Sequence, residues 1–140
     1  MAKVFVASSW QNDRQPVVVK ALREAGHEVH DIRNPSEGGF DWSEFDPDWE
    51  TWTPEQCRAY LIEHPEVGKG YMADWKALQW ADTCVLVMPA GRSAHLQLGW
   101  MAGAGKRTIV LLSQGKPIFM HLLANEIHTE LYEVVNALEE

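Results

Sequence analysis

Thr83-Cys-Val-Leu-Val-Met88 and Arg107-Thr-Ile-Val-Leu-Leu112 carry apolar or β-branched side chains at nearly every position. A strand with one wet face alternates apolar and polar residues, whereas a strand without alternation needs cover on both faces. Each run is far shorter than the ~18–20 residues of a membrane span, so the cover has to be protein. Helical patterns stand between and before the two runs. Together they predict an α/β fold, an open parallel sheet with helices on both faces.

The remaining segments fit that plan. Lys3-Val-Phe-Val-Ala-Ser8 reads as a first strand, and Pro16 and Gly26 bracket a helix over Val17–Ala25, in the usual order of Pro at the start and Gly past the end. His27–Arg33 reads as a second strand. Thr53 precedes Pro54 as a helix cap, and that helix runs to about Glu63, before Pro65. A further helix is expected from Gly70 to Ala81, and another from Ala94 to Ala104 with Ser93 as its cap. Ile118–Leu123 offers a short helix, Glu126-Ile127 a fifth strand, and Thr129–Leu138 a last amphipathic helix. The expectation is a single domain over 1–140 with four to five strands in the flavodoxin-like order 2-1-3-4-5. Its ligand crevice should lie at the carboxyl ends of the strands where the order reverses, between Ala7–Trp10 and Met88–Ser93.

Composition narrows the partners. The chain has 140 residues, 46% of them apolar, and a formal net charge of −8. That balance argues against gripping a nucleic-acid polymer, which needs clustered positive charge, but permits a single nucleotide in a pocket. No apolar run suits a membrane span and no signal peptide is evident, so a cytoplasmic protein with reduced Cys57 and Cys84 is expected. No ligand spacing calls for a metal, and nothing calls for a cofactor. Gly103-Ala-Gly-Lys-Arg-Thr108 lacks the first glycine of a P-loop, position 100 being Trp, and it precedes a strand instead of a helix. His27-Glu-Val-His30 is one residue short of the zinc helix motif.

Three features point to chemistry. Gly91-Arg92-Ser93 opens a helix after a buried strand, where free N–H groups, the helix dipole and Arg92 suit an anion such as a phosphate; an ordinary cap and turn is the plain alternative. Asp74 sits in a helix with no local structural reason. Residues 34–52 form a long polar and aromatic loop with Phe40, Trp42, Phe45, Trp49 and Trp52. Phe40 and Trp42, beside Gly38-Gly39, are candidates to stack on a base, while Trp49 and Trp52 are better read as pinning the loop.

Val4-Phe-Val-Ala-Ser-Ser-Trp10, Gly26-His-Glu-Val29, Asp74-Trp-Lys-Ala-Leu-Gln-Trp-Ala-Asp82, Gly91-Arg-Ser-Ala-His-Leu-Gln-Leu-Gly-Trp100 and Ala102-Gly-Ala-Gly-Lys106 stand in a joint order that resembles the nucleoside 2-deoxyribosyltransferase-like superfamily, which includes 2′-deoxynucleoside 5′-phosphate N-glycosidases. The resemblance implies a flavodoxin-like sheet and a carboxylate nucleophile on the helix after the third strand. That carboxylate attacks the anomeric carbon of a nucleoside, the base leaves, and water or a second base resolves the sugar ester. It implies that Asp74 is the assisting carboxylate and that Ser8, Ser9 and Trp10 hold sugar or phosphate. It also implies a homodimer or higher homo-oligomer. Trp100, Met101 and the Phe119-Met120 pair are apolar candidates for its interface, with a place in the core as the plain alternative.

One position departs from the pattern. The nucleophile's place is held by Gln97, a neutral amide that is nearly isosteric with Glu but a poor nucleophile. Two explanations stand: a form inactivated so as to hold intact substrate, or a member that binds a nucleotide without cleaving it. The readings carried forward are an N-glycosidase or deoxyribosyltransferase scaffold with Gln97 at the catalytic place, a non-catalytic nucleotide-binding or sensing module, and an NAD- or ADP-ribose-cleaving relative.

Overall fold

The computed structural model describes residues 1–33 and 41–139. Five strands, β1 (Lys3–Ala7), β2 (Glu28–Asp31), β3 (Thr83–Val87), β4 (Arg107–Leu111) and β5 (Glu126–His128), form one parallel sheet in the order β2-β1-β3-β4-β5. This is the expected flavodoxin-like arrangement, and Glu126–His128 supplies its fifth strand.

Strand periodicity sorts the core into two layers. Phe5, Ala7, Cys84, Leu86 and Val110 face one side, under α4 (Pro65–Trp80) and α5 (Arg92–Gly103). Val4, Val6, Val85, Val87, Ile109 and Leu111 face the other, under α1 (Gln15–Glu24) and α6 (Leu131–Ala137). Each fully buried Leu or Ile side chain contributes about 1.5–3 kcal/mol. Burial pushes the Cys84 thiol up to about 12, so it packs as a small apolar group. Among the described residues no helix is long and apolar enough to cross a membrane.

Several boundaries differ from expectation. Helix α4 begins at Pro65, not Gly70, because Pro65 occupies the first helical turn, where its missing N–H costs nothing. His64 Nδ1 accepts from the Glu66 N–H at 3.2 Å, and buried Val67 anchors the extra turn. The preceding helix, α3 (Pro54–Glu63), starts with the expected Thr53 cap, which forms a reciprocal box with Gln56. Ser93 is not the cap of α5. Gly91 takes that position, Ser93 lies inside the first turn, and no side chain caps the helix. The described part of the 34–52 loop is not irregular: it holds the short helix α2 (Trp42–Phe45) and a 3-10 turn at Trp49–Thr51. Helix α6 begins at Leu131, because the Glu133 carboxylate accepts from the Thr129 and Glu130 N–H groups and holds that stretch outside the helix.

Two polar devices tie the helices to neighbouring segments. Lys106 Nζ donates to the carbonyls of Leu78, Gln79 and Ala81 at 2.8, 2.8 and 2.6 Å, satisfying orphan acceptors at the end of α4. The second is a histidine pair. Ile118 N–H donates to His121 Nδ1 at 3.3 Å, so the proton of His121 sits on Nε2. That proton goes to His95 Nε2 at 3.0 Å, and His95 Nδ1–H donates to the Gly91 carbonyl at 2.7 Å. A hydrogen on both facing Nε2 atoms would set two N–H groups against each other, so only one of the two atoms carries it in this contact. Burial, and then the charge of His95, hold His121 below the ordinary histidine range.

Two outcomes follow. Lys106→Met removes three charge-assisted bonds and the ammonium over the Trp100 ring, so urea unfolding should show a loss of about 2 kcal/mol; an unchanged midpoint would refute the capping role. Because His121 is lowered in the folded state, the unfolded chain takes up this proton first. Its contribution is complete above about pH 6.5 and lost as pH falls towards its lowered folded value. The thermal midpoint should drop as pH falls below about 6.5, and His121→Gln, which keeps a donor, should flatten that drop.

Candidate active site

The strand order reverses between β1 and β3, so the chain leaves their carboxyl ends in opposite directions and opens a crevice there. Asn12 bridges its two sides. Its buried side-chain amide donates to the carbonyls of Val87 and Pro89 at 3.1 and 3.0 Å, tying the loop after β1 to the loop after β3. Asn12 Oδ1 accepts from the Arg14 N–H at 2.8 Å at the entrance to α1. Gly91 lies against the first loop: a Cβ there would stand 3.7 Å from Ser9 Oγ. Ser8 is buried, Ser9 and Trp10 are half-buried, and Gly91, Arg92 and Ser93 are exposed. The structure therefore brings the Ser8–Trp10 and Gly91–Ser93 segments to one crevice, beside the uncapped start of α5.

Asp74 and Gln97 come from adjacent helices on one face of the sheet. Asp74 lies on α4 above buried Ala77 and Leu78, and Gln97 on α5 beside buried Leu98. Across the seam Gln97 Nε2 donates to Asp74 Oδ2 at 3.5 Å, and Asp74 Oδ1 faces His30 Nε2 at 3.3 Å. Twenty-three residues of sequence separate Asp74 from Gln97, yet the carboxylate meets the amide and does not stand alone in solvent. Trp75 and Trp100 pack edge to face next to them, centroids 5.0 Å apart.

His30 was missed by sequence reasoning. In a strand it reads as one of two histidines around Glu28-Val29, and no local pattern ties it to a residue on a distant helix. Asn12 was missed for the same reason. Of the interface candidates, Met101 is fully buried in the core and leaves that set, whereas Phe119 is 82% exposed.

The tryptophan-rich segment builds its own aromatic cluster. Trp42 stacks on Trp49 with centroids 6.2 Å apart and meets Trp52 edge-on at 5.6 Å. Trp52 stacks on Tyr60 of α3 at 4.2 Å, and its indole N–H donates to Asp46 at 2.9 Å. Phe45 meets Tyr60 and His64 edge-on. Trp52 and Phe45 thus tie the described part of this segment to α3 and the residue after it. Phe40 lies outside the described residues. Among the described residues no group of three or more His, Cys, Asp or Glu is placed to hold a metal ion.

No family model and no curated protein matches the chain. Solved structures do. The CMP N-glycosidase BcmB of Clostridium botulinum matches with a TM-score of 0.52 and 20% identity, covering 98% of each chain. A 2-deoxyribosyltransferase of the psychrotolerant bacterium Bacillus psychrosaccharolyticus matches with a TM-score of 0.61 and 15% identity, over 95% of this chain and 90% of that one. The chain shares its fold with an N-glycosidase and a deoxyribosyltransferase.

Proposed function

We propose that the chain belongs to the nucleoside 2-deoxyribosyltransferase-like superfamily and that its crevice takes a nucleoside or nucleotide. The observation that carries this reading is the meeting of Asp74 and Gln97 across the α4–α5 seam, next to the strand-end crevice of a shared fold. In the proposed pose a phosphate lies near Ser8, Ser9, Arg92 and Ser93, where α5 offers N–H groups that no side chain caps. The sugar lies over the Asp74–Gln97 pair. The base lies towards the acidic, aromatic loop of Trp42, whose carboxylates repel phosphate.

With Glu at position 97 the chemistry is a displacement at the anomeric carbon. A carboxylate oxygen bonds to that carbon as the bond to the base nitrogen breaks, and the base leaves with the bond's electron pair and takes up a proton. Water or a second base then displaces the ester oxygen and releases the carboxylate. Gln97 can supply neither the charge nor the nucleophile, so this chain is proposed to hold substrate without cleaving it. A second reading, a nucleotide-binding module with no chemistry, rests on the same amide: Gln97 is engaged with Asp74 as a neutral donor to a carboxylate.

We further propose that a second copy covers the exposed apolar side chains of 118–123. Phe119, Leu122 and Leu96 are 82%, 79% and 76% exposed, and the His95–His121 contact sets their segments side by side.

Two measurements test these proposals. The chain and its Gln97→Glu form are incubated with nucleosides, nucleoside monophosphates and NAD, and free base is separated chromatographically. Gln97→Glu should release base roughly 10³-fold faster, about 4 kcal/mol of barrier; equal rates would remove Gln97 from the nucleophile's place, and cleavage of NAD alone would favour an ADP-ribose-releasing enzyme. Sedimentation at micromolar concentration should show twice the 15.9 kDa chain mass, reduced to the single chain by Phe119→Asp with Leu122→Asp. A 15.9 kDa species in the unaltered chain sinks the dimer.

A further inference from the structure

The geometry points to His30 as a positioning residue for Asp74, a role that rests on the proposed glycosidic chemistry. Asp74 is a half-exposed carboxylate on a helix surface, and such a group ordinarily turns freely. Here each oxygen has its own partner. Oδ1 lies 3.3 Å from His30 Nε2, and Oδ2 lies 3.5 Å from Gln97 Nε2. An ionised carboxylate only accepts, so His30 Nε2 carries the hydrogen in this contact.

The donor is itself rigidly mounted. The His30 ring stacks on Phe5, centroids 5.1 Å apart and planes 20° from parallel. Phe5 is fully buried in the sheet beneath α4 and α5. His30 and Phe5 are also register partners in the β1–β2 pair. The imidazole plane is therefore set by the sheet, and through it so is the direction in which Oδ1 is held. Two residues that are distant in sequence, one on the edge strand β2 and one on the covering helix α4, are coupled with 14% and 34% of their side-chain surface exposed.

The role sharpens when position 97 carries Glu. The amide donor to Oδ2 disappears and a second carboxylate faces Asp74. His30 is then the donor left, among the described residues, to keep Asp74 in place against a like charge. A carboxylate displaced by about 1 Å loses on the order of 10²-fold in rate, since reacting groups have to be held near attack geometry. His30 acts on the rate through Asp74 and needs no contact with substrate.

The test has two arms. In the unaltered chain, nitrogen-15 NMR should show His30 as the Nε2–H tautomer with a slowly exchanging Nε2 proton, and Asp74→Ala should abolish that signal. In the Gln97→Glu background, with the nucleoside or nucleotide it cleaves fastest, His30→Phe keeps the ring stack on Phe5 and should lower kcat about 10- to 100-fold, with KM changed less than about threefold. His30→Gln, which returns a donor at similar reach, should recover most of the loss. An Nε2 signal unchanged in Asp74→Ala overturns the proposal, and so does an unchanged kcat in His30→Phe. Equal losses in His30→Phe and His30→Gln with a lowered thermal midpoint reduce His30 to a structural residue and overturn it as well. If Gln97→Glu releases no base from any substrate, the functional reading fails and the positioning role falls with it, while the NMR arm shows independently whether His30 and Asp74 are coupled.

Discussion

None of the five residues of β3 reaches solvent: Cys84 and Leu86 are buried in one layer, Val85 and Val87 in the other. A parallel strand in that position depends on apolar cover from two sides at once. The cover comes from crossover helices, and right-handed crossovers allow few arrangements. Helix α1 roofs the β1–β2 side of one face and α5 the β3–β4 side of the other, so the chain departs from β1 and β3 in opposite directions. The crevice is the gap left by that divergence, and the Asn12 amide is the polar stitch that keeps its two loops at a fixed distance.

The same cover brings the polar groups together. Helices α4 and α5 share one face and pack over Phe5 and Leu86, which sets their outer turns within side-chain reach. Lys106 follows α5 and grips the last carbonyls of α4, so the ends of the two helices cannot drift apart. Asp74, Gln97 and His30 meet on this frame. A carboxylate with both oxygens engaged has a defined orientation.

The sheet was legible because its signal is redundant. Continuous apolar strands, a Pro-to-Gly helix and regular alternation of elements all imply one architecture. The helix starts were less legible. Pro65 resembles a terminator of the helix before it, yet the same ring geometry suits the first turn of the helix after it. Ser93 resembles a cap, but Gly91 takes the extended backbone that the cap position needs. The tryptophans were legible as a loop with a packing job; the contacts of Trp52 with Tyr60 of α3 and of Phe45 with Tyr60 and His64 were not, because ring contacts between separate elements leave no periodic trace.

By itself the sequence determined the fold class, because burial runs and breakers are local chemistry, and the expected strand order followed from that pattern. The suspicion attached to position 97 came from the family resemblance, since nothing local marks Gln97 as out of place. Tertiary structure alone decided which distant groups meet. His30 finds Asp74 forty-four residues away, and His95 finds His121 twenty-six residues away, because the sheet and its helices set the distances. A hydrogen bond of about 3 Å is decided by the packing of the elements that carry the two groups, and no periodicity along the chain records that distance.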